Sequence, residues 1–394
     1  MEWRVINLKT ERLPVLDAIR GFALFGILLL HIIMFQYPSP EEITKLINLD
    51  KVLTDFVQIF TSSSYRPLFS FMFGVGFVIL FRSLERRGLR VELTFLRRFL
   101  FLFGLGLIHY LYLWQGDILA TYGAAGFLLL LFLKCQPKTL LVSSLLIWLS
   151  APIISLILRP LDIVDKPLFH IMDLANLISP GLWNPFESLF HTLWASATEV
   201  LPYFLLGMYA MHSNWFHRLE DNRTRNGLLS LIFLIIGWPI KAILYLSNSH
   251  EAWADLLIIG NGLTMLGYLF GIMYLFTTRF GERFFKPFQA IGKMSLTNYL
   301  SHTIIFTLLF IPAGILLKGI GLIHSVGVFW GLVIACVTIV LQAKFSSWWL
   351  SRFAYGPIEW LWRMFTYWKW TPIKKSTAAE KPSANTNTTI SHIQ

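Results

Sequence analysis

The sequence predicts an all-α fold: a polytopic integral membrane helix bundle of about ten transmembrane helices with N- and C-termini cytoplasmic. Three observations carry that expectation. Hydrophobic residues make up 55% of the 394 and charged residues only 14%, and the mean hydropathy is +0.60, a balance that a soluble domain of this length would struggle to keep in solution. Apolar stretches near the length of a membrane span, roughly 20 residues, recur along the chain. The connections between them alternate between rich and poor in Lys and Arg, which sets an orientation.

The apolar stretches lie near 15–37, 65–82, 96–114, 117–133, 139–158, 190–211, 227–246, 254–276, 296–318 and 326–345. With the N-terminus cytoplasmic, the inward segments hold 25 of the 33 basic residues and the outward segments 6, leaving Arg20 and Lys241 inside spans. Topology thus accounts for the net charge of +11. The basic residues stand in short clusters between apolar runs with no recognisable motif, so no nucleic-acid partner is expected.

The first span follows a basic leader, as a signal peptide would, but Phe35-Gln36-Tyr37-Pro38 offers no small-residue cleavage site, so it is expected to stay attached. Residues 38–64 and 159–189 form two long outward connections, candidates for a lid over an outward cavity or for short interfacial helices. The transmembrane domain is read as 1–345. Residues 346–373, with Trp348-Trp349, Gly356-Pro357-Ile358-Glu359 and Tyr367-Trp368-Lys369-Trp370, read as an aromatic and basic amphipathic segment in the inner headgroup region. The polar stretch 374–394 has no apolar period and is expected to be a disordered cytoplasmic tail. The membrane is expected to be crossed many times, with its lipids as partners.

Cys135 and Cys336 supply neither a disulfide framework nor metal-ligand spacing, so no metal and no bound cofactor is expected. The glycines of Phe73-Gly74-Val75-Gly76, Gly104-Leu105-Gly106 and Gly123-Ala124-Ala125-Gly126 permit close helix approach, and none has the strand context of a nucleotide-binding loop.

Chemistry is expected from the few polar groups inside spans. Arg20 and His31 fall on one stripe of the first helix, about 16 Å apart along the axis, with Asp17 one turn before Arg20. Ionisable groups placed there are costly and face a bundle interior or a wet cavity; the plain structural alternative is an Asp17–Arg20 pair at the inner interface and a helix-packing histidine. His109 closes the third span, and the short turn Trp114-Gln115-Gly116-Asp117 brings Asp117 to the same end of the next helix. His31, His109 and Asp117 therefore form a candidate acid/base cluster, with a helix cap as the competing role for Asp117. Asn298 and His302 share a face with Ser295, a seam that helix packing also explains. Glu199, read as near the middle of the sixth span, calls for a cation, and Lys241 is one conceivable partner. The basic cluster from Arg82 to Arg98 could receive the phosphates of a cytosolic donor and is read chiefly as a topology signal.

Four pieces of the sequence together resemble the YeiB-like family of bacterial membrane proteins, defined around a C-terminal domain of unknown function. They are the run from Leu16 to Leu28 with its Asp17-Ala18-Ile19-Arg20-Gly21 core; His109 with Trp114 and Gly116-Asp117-Ile118-Leu119; Leu296-Thr297-Asn298-Tyr299-Leu300; and Gly356-Pro357-Ile358-Glu359-Trp360-Leu361-Trp362-Arg363. The first helix is also similar to that of the wider transmembrane acyltransferase superfamily, including the type 3 acyltransferases and heparan glucosaminide acetyltransferases. In the type 3 enzymes an Arg and a His of the first helix are functional, and Arg20 and His31 resemble that pair. YeiB-like members often carry Asn at the place of His31 and Gln at that of His302. The resemblance implies transfer of an acyl group, such as acetyl, from cytosolic acyl-CoA as co-substrate to an envelope lipid or glycan. In that scheme Arg20, held by Asp17, binds the donor; His31 takes the acceptor's proton or the acyl group itself, and His109 and Asp117 support it. A small-molecule transporter or flippase, and a noncatalytic membrane partner, are the competing classes.

Overall fold

A computed structural model describes residues 13–37, 40–61, 63–114, 116–158, 193, 196–246, 254–310 and 327–375. Among these the chain is helical throughout, with a single antiparallel bridge between Phe353 and Lys374 as its nearest approach to a sheet. The helices are α1 (Pro14–Gln36), α2 (Pro40–Thr44), α3 (Asn48–Phe60), α4 (Tyr65–Arg86), α5 (Val91–Tyr112), α6 (Leu119–Leu129) and α7 (Pro137–Leu158). A π-helical turn, Ser196–Val200, then leads into α8 (Leu201–His212), followed by α9 (Arg223–Leu246), α10 (Ala254–Leu275), α11 (Arg279–Lys293), α12 (Ser295–Phe310), α13 (Val328–Arg352) and α14 (Pro357–Tyr367). Among the described residues, five segments are long and apolar enough to cross a membrane: Pro14–Gln36, Asn48–Arg86, Arg223–Leu246, Leu256–Leu275 and Val328–Arg352.

Local sequence explains where these helices start and stop. Proline occupies an early position in α1, α8 and α14, where its missing N–H costs nothing. Gly88, at φ 63°, takes the left-handed conformation that closes α4 and turns the chain into α5. Several helices keep large apolar side chains on the outside. Leu231 and Ile235 of α9 are 57% and 61% exposed; such faces have no place in water and fit contact with lipid.

At the centre, α1 packs on α4, α11, α12 and α13. The closest approach is between α1 and α11, where a Cβ on Gly21 would overlap the Phe288 carbonyl and a Cβ on Gly292 would overlap the Asp17 carbonyl. Only glycine lets two backbones come so near. Gly292→Ala is therefore expected to cost about 1–3 kcal/mol through overpacking and to lower the thermal midpoint in detergent. Gly104→Ala, where an added Cβ meets nothing within 4 Å, should leave it unchanged.

Two amphipathic helices stand where the hydropathy pattern suggested only connections. In α3, Leu49, Val52 and Phe56 are exposed while Val57 and Ile59 are buried, and its Asp50 carboxylate accepts the N–H of Val328 at the start of α13. In α11, Thr278 caps the first turn by accepting the Gly281 N–H at 3.0 Å, and Phe285 and Ile291 face inward. Interspersed charges keep both segments from reading as spans, whereas their helical period is plain. The first long connection thus contains an amphipathic helix; the second, 159–189, lies outside the described residues, as do the basic leader and residues 376–394. Of the segment 346–373, Trp348 and Trp349 belong to the last turns of α13, and Pro357–Tyr367 form α14.

Candidate functional site

A cavity of about 420 Å³ lies among α1, α4, α5, α6, α11, α12 and α14. Arg20, Arg87, Arg98, Lys293 and Arg363 line one part of it. Two of these cations are stacked on aromatic planes: the Arg98 guanidinium lies 3.5 Å from the Trp362 ring centroid and that of Arg363 lies 4.8 Å from Tyr355. Stacking holds a guanidinium by its face and leaves its N–H edge to meet an anion. Arg20 is anchored differently, its Nη1 donating to Asp17 Oδ1 at 2.8 Å. Asp17 is buried and Arg20 is about a quarter exposed, so the carboxylate serves as a fixed post for a guanidinium that still reaches the cavity.

From the cations the wall continues over Phe73, Phe77 and Phe99 to Leu119, Tyr122 and Tyr299. The resulting surface is amphiphilic, basic at one part and aromatic at the other.

Next to Tyr299 stand the groups singled out in the sequence. His109 Nδ1 is 3.0 Å from Asp117 Oδ1, both side chains being 1% exposed. That separation suits an ion pair, although the angle is not that of an aligned hydrogen bond, and neither His109 nitrogen has a hydrogen-bond partner among the described residues. The other Asp117 oxygen, Oδ2, accepts the Ala120 N–H at 2.8 Å. One carboxylate therefore fills both roles weighed from the sequence, capping α6 and facing His109. His31 packs edge-on against Trp114, with ring centroids 4.6 Å apart, and its Nδ1 has no hydrogen-bond partner among the described residues. The Tyr299 ring touches both histidines, at 6.0 Å from His31 and 5.7 Å from His109.

The common stripe of Arg20 and His31 thus resolves into two environments. Arg20 lines the cavity; His31 packs against Tyr299 and, like His109 and Asp117, is not among the lining residues.

Asn298 and His302 turn toward α13. Asn298 Nδ2 donates to Ile291 O at 3.2 Å and to Ser346 Oγ at 3.0 Å, and His302 Nε2 lies 2.6 Å from Gln342 Oε1. Gln342 Nε2 in turn donates to Ser301 Oγ at 2.6 Å. These contacts match the packing seam. Glu199 lies in the π-helical turn before α8, about half exposed, and pairs with Arg66 at the start of α4. Lys241 is instead fully buried and donates to Ser64 Oγ at 3.0 Å. The Glu199–Lys241 pairing is therefore corrected: a carboxylate at a half-exposed helix start meets the cation nearest that surface. Among the described residues no group of three or more His, Cys, Asp or Glu is placed to hold a metal ion.

Sequence reasoning did not assign Tyr299 or Glu359, although both lie in motifs it quoted. Glu359 Oε1 accepts the N–H groups of Leu296 at 2.6 Å and Thr297 at 3.0 Å, and Oε2 accepts the Thr297 hydroxyl at 2.6 Å. A carboxylate on α14 thus caps α12, the helix that carries Tyr299. The available signals were the one-turn spacing of Tyr299 and His302, and the place of Glu359 just after Gly356-Pro357. Arg87 and Arg98, from the cluster read as a topology signal, line the cavity as well.

Fold and site together define a helical membrane protein with a basic, aromatic internal cavity. The chain belongs to the YeiB-like family, the group marked by the DUF418 model. That model, described as "Protein of unknown function (DUF418)", matches residues 210–369, a region that supplies Lys293, Tyr299, Glu359 and Arg363. The chain is 32% identical to the uncharacterized protein YxaH of Bacillus subtilis (strain 168), covering 94% of this chain and 98% of that relative. It is 26% identical to the uncharacterized protein YeiB of Escherichia coli (strain K12), over 90% and 96% of the two chains. No solved structure matches.

Proposed function

We propose that this protein is a transmembrane acyltransferase of the bacterial inner membrane that moves an acyl group, such as acetyl, from cytosolic acyl-CoA to a hydroxyl or amine of an envelope lipid or glycan. The observation that carries the reading is the cavity itself, in which five cations lead over aromatic rings to Tyr299, beside His31 and the carboxylate-held His109. An acyl-CoA is amphiphilic in the same sense, with phosphates at one end and a thioester at the other. The reading carries with it about ten spans and cytoplasmic termini.

The division of labour follows from chemistry. Arg20, Arg98 and Arg363 bind the phosphates through their N–H edges. The aromatic wall takes the thioester arm and excludes water. His109, with Asp117 at 3.0 Å to stabilise its imidazolium, accepts the proton of the attacking hydroxyl or amine. The C–S bond then breaks, the acyl group passes to the acceptor, and the thiolate takes the proton back from His109. The carboxylate favours His109 over His31 as the base; His31 assists from its own contact with Tyr299.

The test is purified protein in proteoliposomes supplied with radiolabelled acetyl-CoA and extracted envelope lipids and glycans. An acetylated acceptor and released CoA are expected; movement of a solute without a covalent product would replace the enzyme by a transporter, and neither outcome would leave a noncatalytic partner. Arg20→Ala is expected to weaken acetyl-CoA binding roughly ten- to hundredfold, the scale of one lost charge-assisted hydrogen bond, as read by titration calorimetry. Unchanged affinity would remove Arg20 from the donor site.

A further inference from the structure

Two tyrosines of the cavity wall, Tyr122 and Tyr299, are alike in burial, each 1% exposed, and unlike in the state of their hydroxyls. Tyr122 donates to the Arg66 carbonyl at 3.0 Å and shares a second hydrogen bond with Ser70 Oγ at 2.7 Å. Its hydrogen is committed to the fold. Tyr299 has one hydrogen-bond partner, and there it is the acceptor, receiving the Ile118 N–H at 3.3 Å. The O–H hydrogen of Tyr299 therefore has no acceptor among the described residues, although the group lies in the wall of a cavity and away from bulk water. A buried hydroxyl with its donor unused costs stability that a ligand oxygen would restore.

Its surroundings suit that oxygen. The ring packs against both His31 and His109, and the Ile118 N–H that it accepts follows Asp117 directly in the chain. Accepting that N–H polarises the hydroxyl and strengthens it as a donor. The backbone of α12 is fixed at this point by Glu359, which caps the helix one turn earlier, so the hydroxyl is held in place before any ligand arrives.

We infer that Tyr299 is a catalytic residue, its hydroxyl donating a hydrogen bond to the carbonyl oxygen of a thioester bound in the cavity. This rests on the acyltransferase reading above and names the group that stabilises the oxygen as negative charge builds on it. The acceptor's proton goes to His109 and the sulfur leaves as thiolate, while Tyr299 keeps its own proton throughout. Its role is electrostatic.

The experiment is infrared difference spectroscopy of the full-length protein in nanodiscs with acetyl-CoA carrying ¹³C at the thioester carbonyl, run beside steady-state transfer assays. In the wild type the labelled band is expected at lower frequency than in Tyr299→Phe, which keeps the ring contacts and loses only the hydroxyl. Tyr299→Phe should lower kcat roughly 10²- to 10³-fold with little change in the KM for acetyl-CoA, as on removal of one oxyanion donor. A band at the same frequency in wild type and Tyr299→Phe overturns the role of Tyr299 even if acyl transfer is found. A band that shifts in a protein that transfers nothing retains the tyrosine–carbonyl contact and overturns the acyltransferase reading. Absence of any bound band overturns both.

Discussion

His109→Gln is expected to slow acyl transfer by roughly 10²- to 10⁴-fold, the range lost with a positioned general base, in a protein that still inserts and unfolds as the wild type does. The reason lies in its pairing. His109 and Asp117 are 3.0 Å apart and both buried, so the carboxylate stabilises the imidazolium form that must exist transiently during transfer. His31 has an aromatic neighbour in Trp114 and no carboxylate within hydrogen-bond distance among the described residues. His31→Ala should accordingly cost less activity than His109→Gln, reversing the ranking that the first helix alone suggests. Asp117→Asn separates charge from structure: its side-chain oxygen still accepts the Ala120 N–H, so α6 stays capped, while activity falls about as far as with His109→Gln. Initial rates with acetyl-CoA, beside thermal unfolding of each variant, check the set. Equal losses for His31→Ala and His109→Gln would return the base to the first helix.

The comparison between these histidines shows what the sequence makes legible. Helix positions follow from hydropathy and period, which are local: 15–37 was expected and Pro14–Gln36 is found, 139–158 was expected and Pro137–Leu158 is found. The Asp117–His109 contact was within reach because only a short turn joins α5 to α6. Tyr299 was not, since the neighbours that give it meaning come from α1, α5 and the α6 corner, far away in the chain. The same holds for Glu199, whose partner Arg66 is 133 residues distant. A stripe on one helix states which residues share a direction, and not which cavity, if any, that direction meets. Arg20 and His31 share the stripe, yet the first lines the cavity and the second packs against Tyr299.

Glu359→Ala is expected to destabilise the protein by about 3 kcal/mol, because it strands the N–H groups of Leu296 and Thr297 at a partly buried helix start. The consequence reaches the donor site. Glu359 ties α14 to α12, and Ile358 N–H adds a hydrogen bond to Thr297 Oγ1 at 3.2 Å; α14 also carries Trp362, whose Nε1 donates to the Arg98 carbonyl at 2.9 Å. Loosening α14 therefore unseats Arg98 and Arg363 together, so acetyl-CoA affinity should fall with stability. Glu359→Gln behaves differently. Its oxygen still accepts both N–H groups, and its amide donates to Thr297 Oγ1, so the loss should be small. Burial pushes the Glu359 carboxyl above its ordinary value, against the opposing pull of the Thr297 hydroxyl and the backbone N–H groups. A carboxyl whose folded value is raised contributes stability fully below the ordinary carboxylate value and loses it as the pH climbs through the raised one. Wild type should therefore lose thermal stability relative to Glu359→Gln as the pH rises from the ordinary carboxylate range toward neutrality. Parallel melting curves that keep a constant offset across that window would show that the carboxyl stays charged throughout and caps α12 as an anion.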